Sequence, residues 1–236
     1  ARAKGERRFE MEEGKFGGRG ICKMFGQKSV LSGADLELPI GGVAGIFGLN
    51  GAGKTTLLRI LAGLDDDFSG ELYKTDFADV AYTASDENFP LGMTVRGAVE
   101  FFERFGGGKV RKGEIFDALG EAGITAKQPL HAMSLGMRQY FRFLLAVYGG
   151  AAVCLLDEPF TNLDVNLRAN LSRTLIRECG PERLYVITTH EIKEVENLID
   201  GVFILRGGRL SAYLSCEEVR ERGESIEDYY RSRVNV

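Results

Sequence analysis

The chain has 236 residues, 44% of them hydrophobic, which is enough to bury one large core or a core with a subdomain. A net charge of −4 argues against a nucleic-acid partner held by bulk electrostatics, and 2 histidines leave little material for a histidine-based structural zinc site. Cys22, Cys154, Cys179 and Cys216 are too dispersed for a disulfide framework or for metal-ligand spacing, and they suit a reducing cytoplasm.

In chain order, Ala1 to Gly14 alternates basic and acidic side chains without an apolar stretch, which reads as a solvated charged arm and not as a signal peptide. Phe16 to Leu38 is strand-like, with Gly26-Gln27-Lys28 as a hairpin turn. Val43 to Phe47 is a short apolar run suited to a buried strand, and Thr55 to Ala62 reads as a helix, with Leu57, Leu58 and Leu61 on one face and Gly63 at its end. Between them stand Gly48, Leu49, Asn50, Gly51, Ala52, Gly53, Lys54 and Thr55, so strand, glycine loop and helix follow in the order that phosphate binding demands. The glycines let backbone N–H groups turn toward an anion, and the helix start adds unpaired donors and the positive end of its dipole. Lys54 then reaches the outer phosphates and Thr55 offers its hydroxyl to a bridging magnesium ion, so the expected ligand is a magnesium nucleotide.

From about Ser85 to Tyr148 the periodicity is helical: Val95, Ala98, Val99 and Phe102 share a face, as do Ile115, Phe116 and Leu119. Apolar strands follow at Val153 to Leu156, Leu184 to Ile187 and Val202 to Leu205, separated by helix-like stretches at Val165 to Glu178 and Glu191 to Ile199. Such alternation indicates an α/β fold in which a mainly parallel sheet is covered by helices. Ser215 and Glu218 have capping-box spacing for a last charged helix. No uncharged run is long enough to cross a bilayer; the one between Arg142 and Asp157 is interrupted by Gly149-Gly150. The divisions expected are a charged arm at 1–15, a β subdomain and phosphate-loop core at 16–84, a helical subdomain at 85–148, the second half of the core at 149–215 and a C-terminal helix or tail at 216–236.

The strand Val153-Cys154-Leu155-Leu156 runs into Asp157-Glu158-Pro159, which places two carboxylates at the carboxyl end of a buried strand, where open parallel sheets bind ligands. Asp157 can hold magnesium through water, and Glu158 can orient or deprotonate the water that attacks the terminal phosphate. The strand Tyr185-Val186-Ile187 ends in Thr188-Thr189-His190, and His190 is placed to hydrogen-bond that phosphate.

The order of these elements resembles the nucleotide-binding subunit of ABC transporters, over roughly Phe16 to Ser215. The resemblance rests on Gly48 to Thr55 as Walker A, Val153 to Glu158 as Walker B, Thr161-Asn162-Leu163-Asp164 as the D-loop and His190 as the switch histidine. Met133-Ser134-Leu135-Gly136-Met137-Arg138-Gln139 resembles the family signature in variant form, with Leu135 for the first glycine and Met137 for the usual glutamine. Ser134 begins a helix whose Phe141, Leu144, Leu145 and Tyr148 share a buried face, and a serine with the N–H groups of Gly136 and Met137 at a helix start forms an anion site.

The resemblance implies a P-loop NTPase fold with an N-terminal antiparallel β subdomain and an inserted helical subdomain. It implies ATP and magnesium as ligands, with Lys54, Glu158 and His190 catalytic and Thr55 and Asp157 on the metal. Nucleotide contacts would come from Phe25, stacked on adenine, from the loop with Thr56, and from Ser134, Gly136 and Asp164. In the family the signature meets the terminal phosphate bound by the opposite subunit, so two ATP molecules hold a head-to-tail dimer, and hydrolysis loosens it to move a membrane permease. The chain would then sit on the inner face of the cell membrane.

One departure concerns the glutamine that family members carry where the sheet hands over to the helical insertion. Between Gln27 and Gln128 this chain has none. Aligning on Val80-Ala81-Tyr82 puts Ser85 there, counting back from Pro90 puts Ala84 there, and Asp86 or Glu87 are further sources of an oxygen; weaker coupling of nucleotide state to the insertion is expected. Three functions compete: the ATP-hydrolysing subunit of a transporter, a soluble ABC ATPase acting on a cytoplasmic protein complex, and a nucleotide-binding regulatory module with little turnover. The variant signature leans toward exporters of drugs, lipids or polysaccharides.

Overall fold

The computed structural model describes residues 15–73, 80–83, 89–90, 92–105 and 109–234. The charged arm, and the segment holding Ala84, Ser85, Asp86 and Glu87, lie outside the described residues. Strand β1 (Lys15–Phe25) folds back on β2 (Lys28–Pro39) through Gly26-Gln27, where Gly26 takes the positive φ of 60° that the tight turn requires. Next come β3 (Gly42–Phe47), α1 (Lys54–Leu61) and β4 (Ser69–Tyr73). β4 pairs antiparallel with β1, giving a separate three-stranded sheet ordered β2-β1-β4.

The remaining strands are β5 (Val80–Thr83), β6 (Val153–Asp157), β7 (Leu184–Thr189), β8 (Gly201–Arg206), β9 (Arg209–Leu210) and β10 (Leu214–Ser215). They form a second sheet ordered β10-β8-β3-β7-β6-β5, with β9 on β8; the five strands from β8 to β5 are mutually parallel. Between β5 and β6 the chain forms α2 (Val95–Phe105), α3 (Lys112–Glu121) and α4 (Leu135–Tyr148). After β6 come α5 (Val165–Glu178) and, at the end, α6 (Cys216–Glu221) and α7 (Ile226–Val234).

Strands that are apolar throughout need both faces covered, and here they are. Along β6, Cys154 and Leu156 enter one core and Val153 and Leu155 the other; along β7, Tyr185 and Ile187 alternate in the same way with Leu184 and Val186. The first core contains the inserted helices with α5, α6 and α7, and the second lies between the sheet, α1 and the β1-β2 hairpin. Helix α4 is buried on every side from Gln139 to Tyr148, not on one face only, which puts even Arg142 at 4% exposure. No helix among the described residues is long and apolar enough to cross a membrane.

Two local expectations are corrected, and a third element is refined. Glu191 to Ile199 is not a helix but a single 3₁₀ turn at Ile192–Glu194 followed by further tight turns. Ile192, Val195 and Ile199 are all buried, so the three-and-four spacing that suggested a helix is satisfied by short turns instead. Phe102 follows Val95, Ala98 and Val99 at helical spacing but is 40% exposed: α2 meets the core through those three, and in its second half Phe101 packs against Phe102 and Phe105. The C-terminal region holds two helices where one was expected; the capping box at Ser215 and Glu218 starts the first.

Candidate functional site

β3, β7 and β6 lie side by side in parallel register, with Phe47 opposite Thr189 and Asp157 opposite Thr188. Their carboxyl ends therefore deliver the glycine loop, His190 and the Asp157-Glu158 pair to one edge of the sheet. In the loop, Gly51 and Gly53 take positive φ values of 77° and 105°, a region where a side chain would be strained. The Ala52 N–H folds back onto the Leu49 carbonyl at 3.1 Å, and the Leu57 N–H closes the first turn of α1 on Gly53 at 2.9 Å. The N–H groups of Gly53, Lys54, Thr55 and Thr56 thus belong to the open first turn, which has no acceptor within the helix. The same four residues line a cleft of about 330 Å³ together with Asn50, Gly51, Glu158 and, from the hairpin, Val30.

At the mouth of this cleft the ionisable groups form a chain. The Lys54 ammonium, 6% exposed, donates to the Gly48 carbonyl at 2.8 Å and lies 3.2 Å from one Glu158 oxygen. The other Glu158 oxygen is 3.0 Å from His190 Nδ1. Glu158 itself has φ 49°, unusual for a residue with a side chain, and its backbone is clamped there. Its N–H donates to the Thr188 carbonyl at 3.1 Å and hydroxyl at 3.2 Å, while Gln139 Nε2 donates to its carbonyl at 3.4 Å. Asp157, 5% exposed, accepts the Thr188 hydroxyl at 2.6 Å and the Tyr82 hydroxyl at 3.5 Å. Thr188, Tyr82 and Gln139 were not singled out from the sequence; only Thr188 carried a usable signal, its place at the strand end beside His190.

The residues expected to serve a second copy lie outside this cleft. Ser134 caps α4 by accepting the Met137 N–H at 3.1 Å, and Asp164 caps α5 by accepting the Leu167 N–H at 2.9 Å. The two caps are packed together: a Cβ at Gly136 would run into the Asn162 carbonyl oxygen. Phe25 is 55% exposed at the hairpin, with its ring centroid 5.0 Å from Lys23 Nζ, and does not itself line the phosphate cleft. Among the described residues no cluster of three or more His, Cys, Asp or Glu side chains could cage a metal. The donors near the cleft are the hard oxygens of Thr55 and Asp157, which fit magnesium, an ion that uses few protein ligands and relies on phosphate and water.

A family model described as ABC transporter matches residues 31–161. The chain belongs to the ABC transporter family as an ATP-binding subunit. An ABC transporter ATP-binding protein of Methanocaldococcus jannaschii is 31% identical over 214 residues, 88% of this chain and 80% of the relative. The aliphatic sulfonates import ATP-binding protein SsuB of Frankia casuarinae is 33% identical over 230 residues, 92% of this chain and 72% of the relative. A solved ATP-binding subunit of an ABC transporter superposes with a TM-score of 0.79 at 20% identity, over 92% of this chain and 98% of that one, which shows the fold. As a member of this family the subunit binds and hydrolyses ATP. The SsuB relative is named for import, whereas the variant signature leaned toward export.

Proposed function

We propose that this ABC subunit energises a separate membrane permease by closing on ATP as a head-to-tail dimer and reopening after hydrolysis. The observation that carries the reading is Glu158, held between Lys54 at 3.2 Å and His190 at 3.0 Å beside the open first turn of α1. Adenine stacks on Phe25, and the terminal phosphates enter the ring of N–H groups from Gly53 to Thr56. The Lys54 ammonium exchanges the Glu158 carboxylate for phosphate oxygens, which frees Glu158 to take a proton from water. The water oxygen bonds to the terminal phosphorus as the bond to the ADP oxygen breaks. His190 holds Glu158 in orientation and donates to the departing phosphate. A magnesium ion held by Thr55 and, through water, by Asp157 would neutralise phosphate charge at that point.

Ser134, Gly136 and Asp164 of one copy close over the ATP of the other, with the α4 helix start directed at its terminal phosphate. Loss of that phosphate removes the anion that two helix starts share, so the dimer loosens and moves its permease. The subunit lies at the membrane through this partner. Purification from detergent-solubilised membranes tests the reading: the chain should co-purify with a membrane-spanning protein, and recovery only in soluble complexes would overturn it.

A further inference from the structure

Arg168 contacts both the loop Thr161-Asn162-Leu163-Asp164 and the turn that follows the switch histidine. Arg168 stands in the first turn of α5, where its N–H closes on the Asp164 carbonyl at 2.9 Å, one turn beyond the Asp164 cap. Its Nε donates to the Leu163 carbonyl at 3.0 Å. One terminal nitrogen is bonded to Glu194, and the other lies 3.7 Å from Glu191. The second Glu191 oxygen is 4.0 Å from His190 Nε2, and His190 Nδ1 is 3.0 Å from Glu158. Contacts of 4.0 Å or less therefore join every step from Leu163 through Arg168, Glu191, His190 and Glu158 to Lys54.

The backbone beyond His190 runs as tight turns and not as a regular helix: the Glu191 N–H donates to the Thr189 hydroxyl at 3.0 Å, and the Glu194 N–H to the Glu191 carbonyl at 3.3 Å. An arginine suits the task because its planar fork presents several donors in fixed geometry, whereas a lysine ammonium offers a single point of charge. We propose that Arg168 is a positioning residue that couples the dimer-facing loop around Asp164 to the orientation of His190 and hence of Glu158. The proposal rests on the assignment of Glu158 and His190 as the hydrolytic pair. Displacement of the loop by a closing partner is transmitted through the first turn of α5 to Glu191 and Glu194, and through them to the histidine.

The test is steady-state ATP hydrolysis by the full chain carrying Arg168→Ala, Glu194→Gln, His190→Ala and the Arg168→Ala/His190→Ala pair, with thermal melting of each. Arg168→Ala should lower kcat roughly tenfold with KM for ATP held within about twofold, the pattern of an interaction felt in the transition state only. Glu194→Gln should act in the same direction. The double variant should be no slower than His190→Ala alone, because both changes interrupt one path. If Arg168→Ala does not fold, Arg168→Lys replaces it and must show the same loss in kcat. An inactive His190→Ala beside a fully active Arg168→Ala overturns the proposal alone, as does a double variant slowed by the product of the two single effects. A fully active His190→Ala removes the assignment beneath it and the proposal together.

Discussion

Gly136→Ala sets close packing against helix propensity at the start of α4. The added methyl group would meet the Asn162 carbonyl oxygen in hard overlap, with the carbon of that peptide at 3.4 Å and the Leu163 Cα at 3.5 Å. All three atoms are backbone, so no rotamer change relieves the contact and either the first turn of α4 or the Thr161 to Asp164 loop must move. Overpacking of this kind costs about 1–3 kcal/mol. Alanine returns roughly 0.5–1 kcal/mol through helix propensity. The net loss, roughly 0–2.5 kcal/mol, corresponds to a fall in Tm of up to about 10 °C at this chain length. Gly120 in α3 is the matched control: it is helical, and a Cβ there meets nothing within 4 Å. Gly120→Ala should therefore raise Tm, by roughly 1–4 °C. Differential scanning calorimetry of both variants decides the matter, and equal rises in Tm would refute the reasoning. ATP hydrolysis should fall in Gly136→Ala alone, since the Ser134 cap and the Asp164 loop are pushed apart.

Thr188→Val removes the 2.6 Å bond to the buried Asp157 carboxylate and the 3.2 Å bond to the Glu158 N–H without changing side-chain shape. A loss of about 1–3 kcal/mol in denaturant unfolding and a lower kcat are expected, and unchanged values for both would count against the clamp. Lys23→Met should flatten the pH dependence of stability at both extremes. Burial opposes the Asp65 carboxylate, but bonds from Lys23 and from the Asp67 N–H hold it below its ordinary value of 3.8. That contribution is complete above about 3.8 and is lost as pH falls through the lower folded value. Burial likewise opposes the Lys23 charge, yet bonds to Asp65 and Asp67 hold its pKa above 10.5, so that contribution is complete below 10.5 and is lost as pH rises beyond the raised value. Melting temperatures measured across the pH range should show wild-type losses at both ends that are smaller in the variant, where the Asp67 N–H alone still bonds the Asp65 carboxylate. Phe25→Ala should raise KM for ATP roughly tenfold, the size of one base–aromatic stack, with kcat retained at saturating ATP; an unchanged KM would remove the stacking role.

The glycine loop was legible because its flanks obey strong local rules: Val43 to Phe47 is uninterrupted and apolar, and Leu57, Leu58 and Leu61 repeat at helical spacing. The capping box at Ser215 and the helix from Val165 to Glu178 were legible for the same reason. Glu191 to Ile199 misled because burial of Ile192 and Val195 constrains only where side chains point, and short turns meet that constraint as well as a helix does. The exposure of Phe102 was not legible, because periodicity reports which residues share a face and not how far along the helix its neighbours extend. Arg168, Gln139 and Lys23 were invisible as site or anchor residues because their partners are distant in sequence: Lys23 bonds Asp65 and Asp67, 42 and 44 positions away. Tertiary packing brings such groups together: Lys23 meets Asp65 and Asp67 where β1 pairs with β4, and Gln139 of α4 reaches Glu158 beyond the end of β6.

The central claim is that Glu158 activates water on ATP held at the glycine loop. It is tested most directly by ATP hydrolysis of wild type and Glu158→Gln, with the ATP-bound mass of each followed by size-exclusion chromatography and light scattering. The glutamine keeps the shape of the side chain and removes the proton acceptor, so turnover should fall by roughly 10²–10⁴-fold while binding survives and an ATP-bound dimer accumulates. Equal rates for the two proteins, with no ATP-dependent change in mass, would contradict it.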